Sequence, residues 1–108
     1  MKKLPYTATT RTGDRFEIEF PLHRDTVDAV RVEQLVSALL HVIDRDFDVV
    51  GEMSNGDVLQ ALAMATAIRA RMIHAPDRVT EGIARDLLAT SLGATADAKH
   101  SPAKSGHA

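Results

Sequence analysis

Residues 54–74 read SNGDVLQALAMATAIRARMIH and are the most informative stretch of the chain. Ser54 can cap the amide of Asp57 three residues later, and the Asp57 carboxylate suits the positive end of a helix dipole, so a helix is predicted to begin here. Pro76 ends it near His74. The large apolar side chains cover more than half of its circumference: Val58, Leu59, Leu62, Met64, Ile68, Met72 and Ile73. Such a helix needs neighbours on nearly every side.

A hairpin is predicted before this helix. Its clearest strand covers residues 16–20, where three apolar side chains alternate with two glutamates and so occupy opposite faces. Residues 6–10 are rich in β-formers, residues 11–14 suit a turn with Gly13 at positive φ, and Pro21 closes the second strand. A two-stranded hairpin is marginal in water, so it must pack on helices, gain a third strand or pair with another chain.

Two further helices are predicted on either side of residues 54–74. The first runs from residue 25 or 26 to about residue 44 and has one apolar face. The third runs from about residue 78 or 80 to residue 92, with Gly93 as its terminator. Residues 47–50 are the candidate third strand.

These elements predict an α+β fold in which an N-terminal β-hairpin, with a candidate third short strand, packs on two to three α-helices. Residues 1–93 are assigned to a single small α+β domain. Residues 94–108 carry no large apolar side chain, so ordering them would cost chain entropy and bury nothing, and we predict a disordered C-terminal tail.

The helix predicted over residues 54–74 also carries a stripe of small residues, Ala63, Ala67 and Ala70, which lets helix backbones approach closely. The stripe suits either a partner interface or a crowded monomer core. Because a chain of 108 residues buries only a modest core, association with a second copy would add to its stability. We therefore predict a homodimer through this helix, the hairpin edge or both, with these interface residues: Leu59, Ala63, Met64, Ala67, Ala70 and Ile73.

Charge is balanced overall and uneven along the chain. Thirteen basic and fifteen acidic residues leave a net charge of -2, so no whole-protein positive field exists to hold a phosphate backbone. Five acidic residues lie within residues 44–57, whereas four arginines lie after the middle of the helix predicted over residues 54–74. These patches either meet across an interface or remain ordinary solvated faces. The alternative function is a small regulatory domain that binds an anion or nucleic acid through Arg69, Arg71, Arg78 and Arg85.

Motifs for catalysis are sparse. The sequence has no nucleophile elbow, glycine-rich phosphate loop or His-Glu-x-x-His pair, so it gives no specific warrant for an enzyme, and no cofactor is predicted. With no cysteine, any metal site would need histidine and carboxylates. The weak candidates are His41 and Asp44, and two ligands do not make a site. A small enzyme or ligand-binding protein with a pocket at the subunit interface is the third reading.

The favoured function is a non-catalytic interaction or assembly protein that acts as a homodimer, with an unidentified protein partner also open. The absence of cysteine fits a reducing compartment, and residues 1–9 never become the apolar stretch of a secretory signal. No window approaches the roughly 18 apolar residues of a membrane span. The sequence thus predicts a cytoplasmic protein without membrane association.

Overall fold

The computed structural model describes residues 2–103. Its elements, in chain order, are β1 (Lys3–Thr9), β2 (Arg15–Pro21), α1 (Ala29–Val50), α2 (Asn55–Arg71), α3 (Asp77–Ala96) and β3 (Lys99–Ser101). The predicted α+β class, with a hairpin, a third short strand and three helices, is confirmed.

The chain divides into two compact units. One unit contains the residues up to Val36 and those from Ala89 onward, and it holds the sheet. The other unit is Ser37–Leu88 and holds all of α2. Both boundaries fall inside long helices, so the sequence of α1 and that of α3 are each shared between the two units.

The sheet is antiparallel, with the strand order β1-β2-β3. The predicted alternation along the hairpin is confirmed, because the register pairs apolar side chains with apolar side chains across the two strands. The paired residues are Leu4 with Phe20, Tyr6 with Ile18, and Ala8 with Phe16. Leu4 and Ile18, each only 8% exposed, are the hydrophobic core of the described residues.

The turn between β1 and β2 depends on Gly13. Its φ of 94° lies in the left-handed region, which a residue with a Cβ rarely adopts. The amide of Gly13 donates to the Thr10 carbonyl at 3.0 Å, and the Thr10 amide donates to the Asp14 carbonyl at 2.8 Å. The prediction of a turn with Gly13 at positive φ is therefore confirmed.

The third strand does not lie where the sequence placed it. Residues 47–50 are the last turn of α1, so the strand predicted there is wrong. Phe47 is half-buried four residues after the half-buried Ile43, which is the spacing of one helix face. Gly51, with a φ of 112°, ends the helix, and its amide donates to the Phe47 carbonyl at 3.1 Å.

The third strand comes instead from residues assigned to the tail. Residues 94–96 continue α3, so Gly93 does not end that helix, and Lys99–Ser101 pairs with the second edge of β2. The His100 ring stacks on Phe16 with ring centroids 4.6 Å apart, and the Asp14 carboxylate accepts a hydrogen bond from the Ala103 amide at 2.8 Å. These contacts help to offset the conformational entropy that is lost when residues 97–103, which have no large apolar side chains, become ordered. Residues 104–108 of the predicted tail lie outside the described residues.

The start of α2 agrees with the prediction. The Ser54 side-chain oxygen accepts a hydrogen bond from the Asp57 amide at 3.1 Å, which satisfies one of the free amides of the first turn. The helix ends at Arg71, three residues before the predicted His74, and the Met72 amide donates to the carbonyls of the last turn.

We expect Gly13→Ala to lower the free energy of unfolding by roughly 1–3 kcal/mol, because alanine is strained at positive φ. Its Cβ would also lie 3.3 Å from the Ala103 Cβ. The control is Gly82→Ala, which adds a methyl group in open space within α3 and should raise stability by about 0.5–1 kcal/mol. Urea unfolding followed by circular dichroism measures both changes. Equal shifts in the two variants would contradict the turn assignment.

Candidate functional site

The main surface feature is the exposure of large apolar side chains on each of the three helices. No residue of α1 or α2 is buried. Within α2, Leu59 is 67% exposed and Met64 is 54% exposed. Large exposed side chains also occur on the other two helices: Val30, Leu35, Leu39, Leu40, Val42, Val49 and Val50 in α1, and Val79, Leu87, Leu88 and Leu92 in α3. Exposed apolar side chains in this number are characteristic of protein interaction sites.

The six predicted interface residues are mostly exposed to solvent. Five of them are exposed: Leu59, Ala63, Met64, Ala67 and Ile73. Ala70 is half-buried within its own unit. The structure thus leaves most of the predicted surface accessible.

The four arginines of the alternative reading have different partners. Arg71 forms an ion pair with Asp77, and the Arg85 guanidinium lies 3.1 Å from the Glu81 carboxylate one turn earlier in α3. Arg69 donates to the Met72 sulfur at 3.0 Å. Arg78 is exposed and has no ion pair with any other described residue. Two of the four charges are therefore already opposed by a carboxylate, which weakens their attraction for an anion.

The weak metal candidates receive no third ligand. His41 is exposed and Asp44 is half-buried on α1. Within residues 2–103, no group of three or more histidine or carboxylate side chains is arranged to hold a metal ion. The acidic residues of the 44–57 stretch therefore supply no built cation site in that part of the chain.

A cavity of about 790 Å³ lies in the unit that contains the sheet. It is formed by the polar face of β1 and β2 together with the end of α3, and its charged lining residues are Lys3, Glu17, Glu19, Asp97 and Lys99. Sequence reasoning missed this cavity because residues from 94 onward were assigned to a tail. Its lining contains no histidine, serine or cysteine.

Models of known protein families, curated proteins and solved structures give no match to this chain. Among residues 2–103, no helix combines the length and the apolar character that crossing a lipid bilayer requires.

We expect no detectable binding of the wild-type chain to a random-sequence DNA duplex at low salt, measured by fluorescence anisotropy. The net charge is -2, and Arg71 and Arg85 already face carboxylates. Binding would contradict this expectation if the logarithm of its association constant fell by roughly 0.9 per phosphate contact for each tenfold rise in salt concentration. In that case, Arg78→Ala should reduce both the affinity and the slope.

Proposed function

We propose that this chain is a non-catalytic interaction or assembly protein that works as a homodimer in the cytoplasm. The observation that carries the proposal is the exposure of large apolar side chains along all three helices. Single exposed leucines are ordinary on protein surfaces, whereas this many large apolar side chains exposed on each helix favour coverage by another protein.

The free energy available from such a surface is large. Covering one leucine, methionine or isoleucine side chain contributes up to about 1.5–3 kcal/mol, and a standard interface buries about 800 Å² on each partner. Leu59, Met64 and Ile68 of α2 are each more than half exposed, and α1 and α3 carry further exposed large apolar side chains. Burial on this scale supports a stable association.

A second copy of the chain is the partner that needs the fewest assumptions. Homodimers with a two-fold axis are the commonest assemblies, and they join the same surface patch on both subunits. The core of the described residues is centred on Leu4 and Ile18, so self-association would supply the burial that the short chain lacks.

The non-catalytic part of the proposal rests on the side chains available for chemistry. Four of the titratable groups on α2 and α3 form surface ion pairs, which are Arg71–Asp77 and Arg85–Glu81. The cavity beside the sheet carries mixed charge. These arrangements suit solvated surfaces better than general acid–base catalysis. The absence of cysteine supports the cytoplasmic part of the proposal.

Light scattering coupled to gel filtration should give twice the chain mass of 11.7 kDa at micromolar concentration. Ala67→Glu should raise the dissociation constant by about tenfold or more, because it places a charge in an apolar interface. The control is Ala65→Glu, which is also an exposed position but on another side of the same helix and should keep the mass of the dimer.

Circular dichroism must show the helix content retained in both variants. A wild-type chain that stays monomeric, folded and soluble at high concentration would remove the homodimer proposal.

A further inference from the structure

Partial burial in α2 is confined to one arc of the helix. Val58 and Ala70 are its half-buried residues, and Leu62, at 36%, is the least exposed of its exposed large apolar side chains. At about 100° per residue these three side chains lie within an arc of about 120°, although Leu59 in the same arc is 67% exposed. Met64 lies opposite the middle of that arc, and we call the side of α2 around Met64 its outward surface.

The outward surface has a charge pattern with two ends. Asp57, Met64 and Arg71 are each seven residues apart, so they form a straight stripe along the helix, about 21 Å long. We name these three residues the outward stripe. It is acidic at the N-terminal end, apolar in the middle and basic at the C-terminal end.

The charged ends of the outward stripe are available to a partner. Within the described part of the chain, Asp57 has no cationic partner. Arg71 pairs with Asp77, which weakens its attraction for an anion, but both side chains are well exposed and the guanidinium retains N–H groups that can donate to a second carboxylate at hydrogen-bond distance.

Such a stripe complements a copy of itself in only one direction. A parallel copy would oppose Asp57 to the partner's Asp57 and Arg71 to the partner's Arg71, and like charges at close range are unfavourable. An antiparallel copy brings Asp57 beside the partner's Arg71 at both ends. Residues 57 and 71 are equally distant from residue 64, so a two-fold axis beside Met64 satisfies both ends at once.

The residues beside the stripe allow the helices to approach. With the axis at Met64, Gln60 lies at the level of the partner's Ile68, and Ala61 lies at the level of the partner's Ala67. The first level combines two longer side chains, and the second combines two methyl groups. The methyl groups leave space into which the longer side chains beside them can pack.

The other route to a dimer, through the hairpin edge, is disfavoured by β1 itself. The hydrogen bonds of the hairpin direct the backbone groups of residues 4, 6 and 8 toward β2, so those of Lys3, Pro5 and Thr7 point outward. Pro5 has no N–H to donate, and proline and lysine on an edge strand both oppose pairing with another strand.

We infer that α2 pairs antiparallel with α2 of a second copy, about a two-fold axis beside Met64, with Asp57 of each copy against the partner's Arg71. The inference rests on the proposed homodimer and adds its interface and orientation. The apolar centre supplies affinity, and the charged ends select the direction.

The chain contains no cysteine, so a single introduced thiol reports the geometry. Met64→Cys should form a disulfide-linked dimer with oxidised glutathione, seen by non-reducing electrophoresis, because the two thiols meet at the axis. The control is Gln60→Cys, also on α2 and exposed. Two copies of position 60 are offset by about 12 Å along the helices. A disulfide spans Cα atoms no more than about 7 Å apart, so this variant should stay unlinked.

The outcomes separate the inference from the proposed function. Cross-linking of both variants would indicate parallel helices and overturn the inference. Cross-linking of neither variant, with a wild-type mass of two chains, would overturn the inference and leave the homodimer. A wild-type mass of one chain would overturn both.

Charge reversal tests the pairing at the ends. Asp57→Arg and Arg71→Asp should each raise the homodimer dissociation constant by roughly three- to tenfold, because each variant opposes like charges twice. An equimolar mixture of the two variants should form heterodimers of near wild-type affinity, measured by sedimentation with one chain labelled. Unchanged homodimer affinities in the single variants would contradict the inferred pairing.

Discussion

The rest of the structure depends on a shortage of buried apolar surface. The hairpin buries Leu4 and Ile18, whereas the helices leave most of their leucine, valine, isoleucine and methionine side chains exposed. Contact of this surface with water is unfavourable in free energy, roughly in proportion to its area. Because a short chain cannot form a large core, association that covers the helices would remove an unfavourable exposure that folding of one chain does not remove.

Polar interactions in this chain organise local structure and add little to that balance. The Ser54 cap, the Arg85–Glu81 pair and the Arg71–Asp77 pair all lie on exposed surface, where each contributes on the order of 1 kcal/mol or less. Their main contribution is to the relative direction of two paired helices. Charges at the two ends of α2 can select between parallel and antiparallel partners, even though the apolar middle provides most of the free energy.

Differences between the expected and the observed elements have two causes, which are the ambiguity of a short apolar run and the range of the interactions involved. Phe47 follows Ile43 at helical spacing, but a short apolar run is ambiguous between a strand and a buried helical turn. The third strand, Lys99–Ser101, has no periodicity of its own and exists because β2 offers a free edge and Phe16 offers a ring to His100. The cavity beside the sheet was missed for the same reason.

Features that depend on neighbouring residues were readable from the chain alone. These include the turn at Gly13, the beginning of α2 at Ser54 and the alternating faces of the hairpin, because backbone sterics, caps and strand periodicity act within a few residues. Tertiary structure alone decided where the third strand lies and that Ala70 is half-buried while Met64 is exposed. Those properties depend on groups distant in sequence, whose approach no local pattern encodes.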